Sequence, residues 1–192
     1  MTPEQVVNLF RKQGALLEGH FIFASGRHGN RFLQAARILQ HPTHTERLCR
    51  ELAARFQRLK VDVVIGPATG GILLAYETAR KLGCRAAFTE KDGHGGMILK
   101  RGFVLKPGTR ALVVEDVITT GGSVQKTIDH LSERGAEIVG VGVLIDRSGG
   151  EAKFDCRFEA LAQLPLESWS PELCELCTKG IPVVDPDDLV HP

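Results

Sequence analysis

Residues 111–123 read ALVVEDVITTGGS. Ala111, Leu112, Val113 and Val114 form a short continuous apolar run, the mark of a strand buried on both faces in a parallel sheet. Glu115 and Asp116 then fall at the carboxyl end of that strand, where open α/β sheets place their ligands. A loop of small residues follows, Thr119-Thr120-Gly121-Gly122-Ser123, and residues 124–134 read as a helix. Such a loop presents backbone N–H groups and hydroxyls at a helix N-terminus, a ready seat for a phosphate. Two carboxylates beside a phosphate cradle suit a sugar phosphate, the acids accepting from ribose hydroxyls while the loop holds the 5′-phosphate. No Gly-x-x-x-x-Gly-Lys-Ser/Thr occurs, which argues against a P-loop. A dinucleotide-binding turn would carry its acid roughly 20 residues after the glycines, not before them.

Working outward, residues 61–65 are a second buried strand, and Gly66-Pro67-Ala68-Thr69-Gly70-Gly71 is a tight loop opening a helix over 71–82. By the same physics this is a second anion site. Two such corners on neighbouring strands fit a ligand with two separated phosphate groups. Strands are expected over 85–89, 110–116 and 137–145. The alternation predicts an α/β fold, a central mostly parallel sheet flanked by helices on both faces. Upstream, Thr2-Pro3-Glu4-Gln5 is a capping box opening a helix over 3–13, and Thr43-His44-Thr45-Glu46 reads as another, opening a helix to about residue 59. Residues 21–24 and 31–39 read as strands around the turn 25–30. Residues 90–100 are polar and Gly-rich without clear periodicity, the composition of a mobile loop. After residue 150 the apolar runs shorten and prolines recur. The expectation is one domain over 1–192, with a core over about 40–150 and a hood or accessory part from 1–39 and 151–192.

Composition narrows the function. A chain of 192 residues with 43% hydrophobic content can bury a substantial core. The formal net charge of +1 gives no electrostatic case for nucleic acid or an anionic membrane as partner. No apolar run reaches transmembrane length, and the N-terminal residues lack the order of a signal peptide. Five cysteines, an odd and scattered set, do not form a disulfide framework, so a reducing cytoplasm is expected.

Residues 111–123 resemble the phosphoribosyl pyrophosphate (PRPP) motif of the type I phosphoribosyltransferases: apolar residues, an acidic pair, two more apolar residues, then a Thr/Ser/Gly loop. The resemblance implies PRPP contacts from Glu115, Asp116, Val117, Ile118, Thr119, Thr120, Gly121, Gly122 and Ser123. It also implies a pyrophosphate loop at Ala68, Thr69 and Gly70. Residues 89–96, TEKDGHGG, are similar to the flexible Lys- and His-bearing loop of the orotate phosphoribosyltransferases, with one extra glycine between Asp92 and His94. In that family the loop closes over PRPP and reaches the active site of the adjacent subunit. Lys91 and His94 are therefore candidate catalytic residues, and a homodimer sharing sites through residues 90–101 is implied.

Two further stretches point to the base. Phe21-Ile22-Phe23-Ala24-Ser25-Gly26-Arg27-His28 resembles the N-terminal element of the orotate enzymes, a hood over the base with a basic residue, here Arg27. Asp146-Arg147-Ser148-Gly149-Gly150 ends a strand, and a guanidinium there can grip a carboxylate through two parallel hydrogen bonds. The resemblance gives Arg147 and Thr119 to orotate. It implies an enzyme making orotidine 5′-monophosphate and pyrophosphate from orotate and PRPP with Mg²⁺, in pyrimidine nucleotide synthesis. Two alternatives stand beside it: a phosphoribosyltransferase for another base, and a PRPP-sensing regulator of the same fold. Cys174-Glu175-Leu176-Cys177 is a lone C-x-x-C with only Cys156 and His191 nearby. It reads as packing on one face of a short helix rather than as a metal site.

Overall fold

A computed structural model describes residues 1–23 and 25–186. Six strands form the central sheet: β3 (Val63–Pro67), β4 (Arg85–Lys91), β5 (Met97–Leu99), β6 (Arg110–Ile118), β7 (Glu137–Asp146) and β8 (Phe158–Gln163), in the spatial order β5-β4-β3-β6-β7-β8. All pairings are parallel except β4 with β5. The apolar run of β6 alternates between the two faces as its pleat requires. Leu112 and Val114 face a cluster with α1 (Pro3–Lys12), α2 (Ala36–Leu39), α3 (Pro42–Phe56) and α4 (Gly70–Leu82). Ala111 and Val113 face a second cluster with Val124 and Leu131 of α5 (Gly122–Glu133). Both faces are thus covered, as the unbroken hydrophobicity of the strands demands. On β7, a Cβ at Gly140 or Gly142 would lie 2.7 or 2.9 Å from the Phe56 ring, so these glycines let α3 lie close against the sheet.

The hood is a two-stranded antiparallel hairpin of β1 (Leu16–Ile22) and β2 (His28–Leu33), bulged between Glu18 and Phe21. The chain's tail clasps it. His28 and Trp169 exchange backbone hydrogen bonds at 2.8 Å, Ile22 N–H donates to the Val184 carbonyl, and Val184 N–H donates to the His20 carbonyl. A 3₁₀ turn (Pro171–Leu173) and the short helix α6 (Glu175–Thr178) complete this lobe.

Several expectations need correcting. Residues 36–39 form α2, not the end of a strand; Ala-Arg-Ile-Leu carries good helix formers and no turn signal before them. The capping box at Thr43 does not form. Pro42, with its φ preset for a first helical turn, starts α3 two residues earlier, behind His41 as N-cap. Thr45 instead turns its hydroxyl inward to donate to the Leu39 and His41 carbonyls. Residues 90–99 are a hairpin rather than an irregular loop, with Thr89, Glu90 and Lys91 paired to Leu99, Ile98 and Met97. β8 belongs to the central sheet although it lies beyond residue 150. The capping box at Thr2 and Gln5 does form, with reciprocal hydrogen bonds of 3.2 and 3.0 Å.

Candidate active site

The carboxyl ends of β3, β6 and β7 lie side by side, and the site grows from their corners. After β6 the chain turns through Thr119 and Thr120 into α5, whose N-cap is Gly121 at φ +77. A side chain is disfavoured there twice: by that left-handed backbone, and by the Phe154 ring, 2.9 Å from where a Cβ would sit. Glu115, Val117, Ile118 and residues 119–124 line an open cavity at this corner. Thr119, Thr120 and Ser123 are exposed toward solvent. The free N–H groups of the first turn of α5 and three hydroxyls make this an anion seat.

The second corner touches the first. β3 pairs directly with β6, and Asp116 reaches across to the N-terminus of α4. A Cβ on Gly70 would stand 2.2 Å from Asp116 Oδ2. The turn itself is equally tight, since a Cβ on Gly66 would meet the Gly71 carbonyl oxygen at 2.2 Å. Ala68 N–H donates to the Thr89 carbonyl, and the Ala68–Thr69 peptide is cis. Ala68, Thr69 and Gly70 are therefore placed beside the acid pair by glycines that no other residue can replace without moving the backbone.

Glu115 and Asp116 are consecutive, and the Asp116 N–H donates to Glu115 Oε1 at 3.2 Å. Asp116 Oδ1 accepts from the Val117 N–H at 2.7 Å. Burial, and then the neighbouring Asp116 charge, push the Glu115 carboxyl well above the ordinary carboxylate range; burial raises Asp116 as well. Two close, desolvated carboxyls of this kind are poised to bind hydroxyls and to face developing positive charge.

Arg147 follows β7 and borders the phosphate loop. Ile118 and Asp146 are partners in the β6–β7 ladder, and the Arg147 N–H donates to the Ile118 carbonyl at 2.9 Å. Its guanidinium lies 5.6 Å from the centre of the Phe23 ring in the hood. It makes no salt bridge among the described residues. Its Nε is buried without a hydrogen-bond partner, and burial lowers its pKa. Asp146, also buried, does not pair with it but accepts from the Ser148 N–H at 2.8 Å, holding the turn that aims Arg147.

The remaining candidates stand apart from the cavity. Lys91 ends β4 and His94 lies at the tip of the β4–β5 hairpin, both exposed and neither lining the cavity. Asp92 Oδ1 pins that tip by accepting from the His94 and Gly96 N–H groups at 2.7 and 2.9 Å, which lowers its pKa. Arg101 ties the hairpin base to Glu90 at 2.8 Å. Arg27 is engaged by the tail, its Nε donating to Ser168 Oγ at 2.9 Å and its Nη2 to the Ser168 carbonyl. Sequence reasoning missed Phe23 as the ring over Arg147, Phe154 as the wall behind Gly121, and Ser168. Phe23 lay within the quoted hood motif, and its aromaticity beside a basic candidate was the available signal.

Residues 34–158 match the phosphoribosyl transferase domain family model, and the chain belongs to that family. Over nearly its whole length it is similar to named members of one branch. It is 52% identical to the orotate phosphoribosyltransferase of Desulforamulus reducens, covering 97% of each chain. It is 49% identical to that of Thermus thermophilus, over 93% of this chain and 97% of the other. The solved orotate phosphoribosyltransferase of Aeropyrum pernix superposes with a TM-score of 0.67 at 28% identity, over 83% of this chain and 93% of that one.

Proposed function

We infer that the protein is an orotate phosphoribosyltransferase, transferring the 5-phosphoribosyl group of PRPP to N1 of orotate. The products are orotidine 5′-monophosphate and pyrophosphate, and the reaction serves pyrimidine nucleotide synthesis. The observation that carries the choice of base is Arg147: a partly desolvated guanidinium with an unsatisfied buried donor, beside a phosphate cradle. Such a group is satisfied by a carboxylate, which orotate has and a purine or uracil lacks.

The chemistry is governed by charge. Loss of pyrophosphate leaves positive character on the ribose ring and negative charge on the departing group. Glu115 and Asp116 accept from the ribose hydroxyls and face the positive ring. The N–H groups and hydroxyls of residues 119–123 hold the 5′-phosphate, and Ala68, Thr69 and Gly70 receive the pyrophosphate. Arg147 and Thr119 orient orotate, with Phe23 over the guanidinium and Arg27 in the hood. Lys91 and His94 offset the pyrophosphate charge once the hairpin closes. Orotate is anionic with an acidic ring nitrogen, so positioning, worth up to about 7–11 kcal/mol in favourable cases, replaces a general base.

Among the described residues no group of three or more His, Cys, Asp or Glu side chains gathers at this cavity. Mg²⁺ would be held mainly by substrate oxygens and water, as its reluctant dehydration favours, and would supply positive charge to the departing pyrophosphate.

A homodimer with hairpin 90–101 reaching the neighbouring site accounts for the distance of Lys91 and His94 from the cavity lining. Leu73 and Tyr76 of α4, 51% and 68% exposed, are apolar surface that a partner subunit would cover. No helix of the described residues is long and apolar enough to cross a membrane, and free cysteines throughout fit a cytoplasmic protein.

The direct test is loss of orotate absorbance on adding PRPP and Mg²⁺, run against a panel of other bases. No turnover, despite PRPP binding, would favour a sensor. Arg147→Ala is expected to raise the KM for orotate about 10²–10⁴-fold, the loss of two charge-assisted hydrogen bonds at about 1.5–3 kcal/mol each. Calorimetry should find its PRPP affinity nearly unchanged; equal loss of both ligands would give Arg147 a different role.

A further inference from the structure

The tail of the chain carries a second constellation, against the hood hairpin. Cys174 is the N-cap of α6 and Cys177 lies one turn later, so both sulfurs point the same way. Against them stand His20 and His28 from the two hood strands. The bulge between Glu18 and Phe21 shifts the β1–β2 register at His20. One ligand atom from each of the four side chains lies within 4.8 Å of every other. His20, His28 and Cys174 are 3%, 6% and 1% exposed.

The geometry is that of a coordination shell. His20 Nε2 is 3.0 Å from His28 Nδ1, 3.4 Å from Cys174 Sγ and 3.7 Å from Cys177 Sγ; Cys177 Sγ is 3.2 Å from His28 Nδ1. A zinc tetrahedron with Zn–S of about 2.3 Å and Zn–N of about 2.0–2.1 Å has N···N edges near ~3.3 Å and S···N edges near ~3.5 Å. The S···N separations bracket their value, and the N···N separation is slightly shorter than its own. The tautomer agrees. His20 Nδ1 is 2.7 Å from the Ile181 carbonyl, and a carbonyl can only accept. The proton is therefore on Nδ1, and the lone pair of Nε2 points into the cluster. A carbonyl on the outer nitrogen is the usual way a metal-binding imidazole is oriented.

We propose that His20, His28, Cys174 and Cys177 form a structural zinc site that fastens the tail to the hood. Two sulfurs and two nitrogens in tetrahedral array select zinc among common divalent ions. Four protein ligands leave no open position, so the site is structural, not catalytic. On this proposal the C-x-x-C is more than the packing expected from the sequence. The missing pair comes from the N-terminal hairpin, not from Cys156, and His191 lies outside the described residues. The ion would cross-link β1, β2 and α6, elements otherwise joined by a few backbone hydrogen bonds, and so fix the hairpin that carries Phe23 and Arg27.

The test is metal content, which is independent of the orotate reading. Full-length protein without added histidines, purified under reducing, chelator-free conditions, should hold about one zinc per chain. After stripping with a chelator, the reduced chain should take up one equivalent of zinc. With cobalt it should show the intense visible and thiolate-to-metal bands of a tetrahedral sulfur site. Cys177→Ser should weaken zinc binding by more than the roughly 10–100-fold that loss of an outer hydrogen-bond partner costs. If that variant does not fold, uptake by the unaltered chain still decides. Failure of the stripped, reduced chain to bind zinc or cobalt at one equivalent overturns the proposal. So does an octahedral cobalt spectrum, or a Cys174–Cys177 disulfide in protein prepared without oxidant.

Discussion

The double variant Glu115→Gln, Asp116→Asn is expected to melt at a higher temperature than the unaltered protein at pH 7–8, while losing about 10²–10³-fold in kcat/KM for PRPP. The loss follows from removing two carboxyls that ionise against the positive ring, each then worth about 1.5–3 kcal/mol in hydrogen bonds of this type. The gain has the opposite origin. Both carboxyls are raised in the folded state by burial, Glu115 also by its neighbour, so the fold favours their protonated forms. That contribution is complete below the unfolded carboxyl values, about 4, and drains away as pH rises toward the folded ones. At neutral pH the unaltered chain therefore carries a cost that the amides remove. A gain of about 1 kcal/mol corresponds to roughly 2–4 °C for a domain of this size. Thermal melts across pH 5 to 8 should show the gap widening with pH. A gap that stays constant would mean the pair is not desolvated in the free protein.

Lys91→Ala should lower kcat by about 10²–10³-fold with little change in substrate affinity, because its charge is needed when pyrophosphate departs. Mixing this variant with the double acid variant is the sharper measurement. If hairpin 90–101 serves the partner's cavity, each mixed dimer contains one intact site and one doubly damaged one. Half the dimers are mixed at equal concentrations and each has one working site of two, so about a quarter of full activity should return. If the hairpin closes over its own cavity, every site in the mixture stays defective and nothing returns. Sedimentation of the same samples checks the dimer directly.

How much of this was legible in sequence depended on whether a signal was local. β6 and its loop were readable because a strand buried on both faces is continuously apolar, and the acids and glycines follow without a break. The corner at residues 66–71 was readable for the same reason. β5 was not, since three residues are too few to display alternation beside so many glycines. β8 was hidden because its alanines and polar residues at a sheet edge look like those of a lobe. The clasp of Arg27 by Ser168 and the meeting of His20 with Cys174 join residues 141 and 154 positions apart, and only the folded chain brings them together.

The contact of Phe23 with Arg147 divides labour between two layers. The residues proposed to handle the activated sugar sit at the ends of strands of the central sheet. The ring that roofs the Arg147 guanidinium hangs from an outlying ribbon, held by tail residues between 168 and 184. The roof over Arg147 is thus built apart from the sheet that carries the guanidinium itself, so replacing residues 16–33 would change its cover while leaving Arg147 and both phosphate corners in place.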